Sequence, residues 1–143
     1  MQTTSPADTA GRLRLAITRT ARRLRQEAGA GLSPSQTAAL ATLDRHGPLT
    51  PSRLAELERI QRPTATRLVG KLEEAGLVER VADASDGRVC HVSISSEGRR
   101  LLKRVRSRKD AYLATRMRRL DDDELTTLAR ATEILERILE ERE

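Results

Sequence analysis

The sequence predicts a mainly helical α+β fold, a winged helix-turn-helix unit with flanking N- and C-terminal dimerisation helices. Three observations predict it. Thr50-Pro51 and Arg62-Pro63 open two helices separated by a short link, a spacing suited to placing the second helix in a DNA major groove. Alternating runs from Leu77 to Val81 and from Val89 to Ile94 enclose a turn containing Asp83, Ser85, Asp86 and Gly87, which makes a hairpin. Apolar stripes at helical spacing occupy both ends of the chain.

The elements follow in order. A polar segment over residues 1–8 is expected to be loose, and a first helix to run from Thr9 to Glu27. Leu13, Ile17, Leu24 and Ala28 share one face of it, while Arg12, Arg19, Arg22 and Arg25 cover the rest. Ser33-Pro34-Ser35-Gln36 starts a second helix: Ser33 caps, Pro34 suits the first position and Gln36 completes a capping box. His46-Gly47-Pro48 ends it. A short third helix runs from Thr50-Pro51 through Glu58, and a fourth from Arg62 to the glycine stop at Ala75-Gly76. Its inward residues are Ala65, Leu68, Val69, Leu72 and Ala75. After the hairpin, Ser96 begins a long helix to about Arg119, roughly 35 Å at 1.5 Å per residue. Asp121 to Glu124 place negative charge at the start of a last helix, where the helix dipole favours it. Leu125, Leu128, Leu135, Ile138 and Leu139 form its stripe. The first, fifth and sixth helices make an extended layer best buried against a second copy. The expectation is one domain over 1–143, with 33–95 as its DNA-binding part and 9–28 and 97–143 as dimerisation helices.

Composition narrows the function. The chain has 143 residues, 34% charged and 37% apolar, with no apolar run near the ~18 residues of a membrane span. The polar start, Met1 to Thr9, lacks a signal-peptide core, so a cytoplasmic protein without membrane association is expected. A single cysteine, Cys90, excludes an internal disulfide, and two distant histidines, His46 and His91, are poor material for a metal site. Phe and Trp are absent and Tyr112 is the only aromatic residue, which removes the stacking platforms used for single strands. No nucleophile pair, phosphate loop or metal cluster suggests an enzyme, and no cofactor is expected. Net charge is +6, yet residues 34–95 carry eight basic and eight acidic groups. DNA binding there must therefore rest on where individual arginines point.

On the fourth helix, Thr64, Arg67 and Lys71 share the outward face at i, i+3, i+7. Arg67 has the donor fork that suits guanine, and Thr64 can meet a base edge or a thymine methyl. Arg62 and Thr66 lie at the flank and can grip phosphate, as can the first amides of the third helix near Thr50 and Ser52. Pro63 shapes the helix opening. At the hairpin tip, Arg88 suits a minor groove of strong negative potential, and Asp86 can orient it through a salt bridge.

These motifs together resemble the MarR (multiple antibiotic resistance regulator) family of bacterial transcription factors. Asp86-x-Arg88, five residues, then Ile94-Ser95 is similar to that family's wing signature, Asp-x-Arg-x5-Leu-Thr, with Ile-Ser replacing Leu-Thr. Arg62 to Leu68 resembles its recognition-helix opening, Gly76 to Arg80 its helix-to-wing junction, and Leu120 to Glu124 the start of its last helix. The resemblance implies a homodimeric regulator, a repressor, joined through the terminal helices. It also implies double-stranded DNA with an imperfect palindromic operator as partner, and a small-molecule effector or oxidant that releases the DNA. Such effectors, aromatic acids or phenols, would sit between the helical layer and the winged unit, where Arg22, Arg23, His46 or Arg116 can meet an anion. Cys90 is expected on the core face with Val92 and Ile94, and His91 on the solvent face. The oxidation-sensing branch of the family carries its reactive cysteine near the N-terminus, unlike Cys90. The cluster Arg99, Arg100, Lys103, Arg104, Arg106, Arg108 and Lys109 is expected to be the wet side of an amphipathic helix. The alternative to a DNA reader is a winged-helix module for protein interaction, which would show no operator selectivity and little salt dependence.

Overall fold

The computed structural model describes residues 4–140 as six helices and a two-stranded antiparallel sheet. In chain order these are α1 (Pro6–Ala28), α2 (Pro34–His46), α3 (Pro51–Glu58), α4 (Arg62–Glu74), β1 (Val78–Ala82), β2 (Cys90–Ile94), α5 (Ser96–Met117) and α6 (Asp122–Glu140). Mainly helical structure with a hairpin wing matches the expected fold class.

Side-chain caps set most of the boundaries. Ser33 and Gln36 form the reciprocal capping box of α2, with Ser33 N donating to Gln36 Oε1 at 2.9 Å and Gln36 N to Ser33 Oγ at 3.1 Å. Thr50 Oγ1 accepts from Arg53 N at 3.2 Å and starts α3. Contrary to expectation, α1 begins at Pro6 rather than Thr9. Ser5 caps it, its hydroxyl accepting from Ala7 N at 3.3 Å, and Pro6 fills the first position. Residues 1–3 of the segment expected to be loose lie outside the described residues.

One core holds the winged unit together. Leu40 and Leu43 of α2, Leu54 of α3, Val69 and Leu72 of α4, Val78 of β1, Val92 and Ile94 of β2, and Leu102 of α5 are buried in one cluster. Ala75, expected inside, is exposed, because the chain leaves helical geometry there and turns through Gly76 at φ 74°. The β1–β2 register pairs Val78 with Ile94 and Ala82 with Cys90. Leu49 joins the free edge of β2, exchanging bonds of 2.9 and 2.7 Å with Val92. The root of the wing is thus paired on both sides.

The terminal helices differ. The C-terminal half of α1 packs on α5: Arg108 donates to Ala28 O at 2.8 Å, and Ala28 is the one buried residue of α1. Among the described residues of α6, none is buried. Leu13, Ile17, Leu128, Ile138 and Leu139 are exposed.

Candidate nucleic-acid interface

The interface is built from the α3–α4 turn outward. Arg59 closes α3 in the left-handed region, φ 54°, and donates its N–H to Glu56 O at 3.2 Å. Ile60 N–H donates to Ala55 O at 3.0 Å, and the Ile60 side chain packs on the core. This turn sets the angle at which α4 leaves. Pro63, in the first turn of α4, sits where a missing N–H costs nothing. The buried row Ala65, Leu68, Val69, Leu72 then leaves Thr64, Arg67 and Lys71 on the exposed face. None of these three side chains has a hydrogen-bond or ion-pair partner among the described residues.

The flank is tied down. Arg62 Nη2 donates to Ser52 Oγ at 2.5 Å, linking the starts of α4 and α3. Thr66 Oγ1 donates back to Arg62 O at 3.0 Å. Thr50 spends its hydroxyl on the cap of α3. The structure thus brings Ser52 and Arg62 together and leaves Thr64, Arg67 and Lys71 as a separate row.

Within this neutral segment, three acids are paired with arginines of the segment itself. Glu56 is held by Arg53 at 2.8 Å, Glu73 by Arg80 at 2.9 Å and Asp86 by Arg88 at 3.1 Å. Arg67 and Lys71 carry no such counter-charge. Sequence reasoning missed Ser35 and Gln36, which line a cavity of about 270 Å³ with Thr64, Arg67 and Lys71. No local signal could have found them, since the approach of α2 to α4 is tertiary.

At the wing, Asp86 Oδ1 accepts from both the backbone N and Nε of Arg88, each at 3.1 Å. These bonds, the side-chain one first, hold the Asp86 carboxyl below its usual range. The Arg88 side chain is 92% exposed. Its Nη2 also donates to Asp86 Oδ2 at 3.4 Å, so the carboxylate holds the guanidinium by two atoms while most of the side chain faces solvent.

Two expectations about β2 are corrected. Cys90 is half-buried rather than core, because the hairpin has run past the apolar cluster by that position; Val92 and Ile94 are buried as expected. His91 does not simply face solvent. Its Nε2 lies 3.3 Å from Asp83 Oδ2, across the wing. Asp83 Oδ1 also accepts from the N and Oγ of Ser85, both at 2.9 Å. Those bonds from Ser85, then the one from His91, pull the Asp83 carboxyl from 3.8 down to about 2. A carboxyl with a lowered folded pKa contributes stability above its unfolded value, and loses it as pH falls through the folded one. The wing is therefore expected to loosen between pH 3.8 and about 2. Far-UV dichroism during acid titration should show Asp83→Asn losing that part of the pH dependence; an unchanged acid limb would contradict the wing assignment of this loss.

A second polar cluster surrounds Tyr112, between α1 and α5. Arg23 Nε donates to Tyr112 Oη at 3.1 Å, and the guanidinium carbons of Arg23 and Arg116 lie 5.8 and 5.2 Å from the ring centre. The bond from Arg23, and then the charge of Arg116, push the phenol pKa down. A groove of about 590 Å³ beside the ring is lined by Arg19, Arg22, Arg23 and Arg116. Of the four residues expected to meet an anion, the structure gathers Arg22, Arg23 and Arg116; His46 lies elsewhere, at the end of α2.

Fold and site together define a DNA-binding transcriptional regulator of the winged helix-turn-helix class. The chain belongs to the MarR family, whose model matches residues 32–90. An HTH-type transcriptional regulator of uncharacterized role from Mycobacterium leprae is 36% identical over 138 residues, covering 96% of each chain. The HTH-type transcriptional repressor MdtR of Bacillus subtilis is 29% identical over 71% of this chain and 66% of its own. A crystal structure from Pseudomonas aeruginosa, assigned as a transcriptional regulator, is 36% identical with a TM-score of 0.85, covering 98% of this chain and all of that one. Among the described residues, no helix is long and apolar enough to cross a membrane.

Proposed function

We propose that this MarR family regulator is a homodimeric repressor acting in the cytoplasm. It reads an imperfect palindrome in double-stranded DNA and is released by a small anionic effector. The observation that carries the DNA reading is the unpaired row Thr64, Arg67 and Lys71 on the exposed face of α4. In this reading Arg67 and Thr64 meet base edges in the major groove. Lys71, Thr66, Pro63 and the Ser52–Arg62 pair hold the backbone beside them, with the start of α3 at Thr50. Arg88, steadied by Asp86, enters the flanking minor groove. Repression is supported by the likeness to the repressor MdtR, and dimerisation by the exposed apolar residues of α1 and α6. A protein-interaction module is the weaker reading, since it gives the unpaired cations no task.

The effector reading rests on the Tyr112 groove. One ring and a ring of guanidinium groups suit an aromatic or otherwise flat anion.

The wing gives the experiment. Arg88→Ala is expected to weaken binding most where the operator flank is A·T-rich, because a narrow groove concentrates negative potential. It should also reduce the slope of log affinity against log salt by about one. Asp86→Ala should give a milder version through misorientation. The check is a salt titration on two operators differing only in their flanks. Binding by Arg88→Ala equal to wild type on both would make the hairpin purely structural.

A further inference from the structure

Two connections join the winged unit to α1. One is α5, which is continuous across the junction: Leu102 lies in the winged core, and Tyr112 further along accepts from Arg23 of α1 at 3.1 Å. The other is the link from α1 to α2, where Gly29 and Gly31 take positive φ, 59° and 71°. Glycine turns there with little steric cost, so the link by itself holds no fixed angle. Its far end is anchored by Leu32, which packs on the winged core.

The near end is held by a side chain. Helices α2, α3, α4 and α5 each close with a backbone N–H returned to the last turn, whereas α1 has no such bond among the described residues. The last carbonyls of a helix need partners from outside it. Arg108 of α5 supplies one, donating from Nη1 to Ala28 O at 2.8 Å in a partly buried contact. A cation at this end of a helix also meets the favourable pole of its dipole. Ala28 itself is 3% exposed. Within the same turn of α5, Arg106 reaches to Asp44 of α2 at 3.4 Å. One turn of α5 therefore grips the winged unit with Arg106 and the end of α1 with Arg108.

We propose that Arg108 is a positioning residue for operator recognition: its bond to Ala28 O fixes the angle between the winged unit and α1, and so sets which half-site spacing the dimer accepts. The proposal rests on the reading above of a homodimer on a palindrome. In such a dimer the distance and twist between the two copies of α4 follow from the angle at this junction. A base pair added between half-sites moves one of them by about 3.4 Å and turns it by roughly 35°. That mismatch is absorbed by the duplex or by the junction. With Arg108 in place the duplex must deform, at a cost to affinity. Without it the glycine link yields and the cost falls. Arg108 acts through the junction and makes no contact with DNA.

The test uses duplexes whose half-sites are separated by the preferred spacer or by one base pair more or fewer, with a single half-site as reference. Dissociation constants are read by fluorescence anisotropy. Wild type should favour the preferred spacer at least about tenfold. Arg108→Met keeps an apolar stem and loses the donors; it should cut that preference to about a third or less while half-site affinity is unchanged. Arg108→Lys, with one donor group on a flexible stem, should fall between the two. Where Arg108→Met fails to fold, as judged by thermal melting, Arg108→Lys carries the test. A variant that keeps the wild-type spacing preference would overturn the proposal. So would one that weakens the half-site and every spacer by a common factor, since the bond would then be structural only. A wild-type chain indifferent to spacing would instead sink the palindrome reading itself.

Discussion

Arg67→Ala is expected to weaken operator binding by ~1–3 kcal/mol, roughly 5- to 150-fold, and to relax base preference at one position of each half-site. The size follows from geometry. Arg67 stands on the exposed face of α4, opposite the buried row, with no acid to compete for its donors. A guanidinium free at its end can offer two parallel bonds to the edge of a guanine, and no other base presents that pair of acceptors. Arg62→Ala should behave otherwise. Its guanidinium is already engaged by Ser52 Oγ at 2.5 Å, at the edge of the helix pair. Its loss should weaken all duplexes evenly and lower the salt slope by about one. Binding titrations on operator and random duplex separate the two. Equal losses on both duplexes for both variants would contradict the division into reading and gripping.

Gly98→Ala is expected to destabilise the folded chain by ~1–3 kcal/mol, lowering the melting temperature by roughly 3–10 °C. A Cβ built on Gly98 would lie 2.2 Å from the carbonyl oxygen of Leu77 and 2.8 Å from Ile94 Cγ1. The first obstacle is backbone, and it cannot swing aside. The same carbonyl accepts from Ser95 N at 3.0 Å, while Ser95 Oγ donates to Gly76 O at 2.7 Å and accepts from Gly98 N at 3.0 Å. Two of these bonds tie Ser95 to the entry to β1 and the third caps α5 on Ser95, and the new methyl would pry them apart. This joint connects the wing to α5, so operator binding should fall along with stability. Gly70 provides the contrast. It lies inside α4 with open space where a Cβ would go. Gly70→Ala should stabilise by ~0.5–1 kcal/mol, because alanine loses less backbone freedom in a helix. Thermal melts of the two variants should shift in opposite directions; parallel shifts would contradict the packing account.

Caps and periodicity made most of this fold legible. Ser33-Pro34 and Thr50-Pro51 carry their start signals in adjacent residues, and the observed helices α2 and α3 begin at those prolines. The same signal at Ser5-Pro6 is masked by the surrounding polar residues, which resemble a loose end, so the sequence places the start of the first helix at Thr9 instead of Pro6. β1 starts and ends one residue later than expected, at Val78 and Ala82, and β2 starts one later, at Cys90; at the outer ends the protruding wing has little burial to mark where a strand stops. Leu49 pairing with Val92 had no signal at all: a single-residue bridge has no period. The site divides in the same way. The exposure of Thr64, Arg67 and Lys71 follows from counting 3.6 residues per turn against the buried row. The Arg62–Ser52 bond, the Asp83–His91 link and the approach of Ser35 to Lys71 depend on how elements pack, and no spacing along the chain encodes them. The gathering of Arg22, Arg23 and Arg116 at Tyr112, without His46, is of this second kind.

Selection of bound fragments from sheared bacterial genomic DNA by the purified full chain decides whether α4 and the wing read duplex DNA by sequence. The recovered fragments should converge on one imperfect two-fold motif. Its half-sites should lie about one helical turn apart, 10–10.5 base pairs, as expected for paired recognition helices. Arg67→Ala should recover the same motif with one position of each half-site degenerate. Fragments that share no motif, recovered equally by wild type and by Arg67→Ala, would contradict sequence-specific reading.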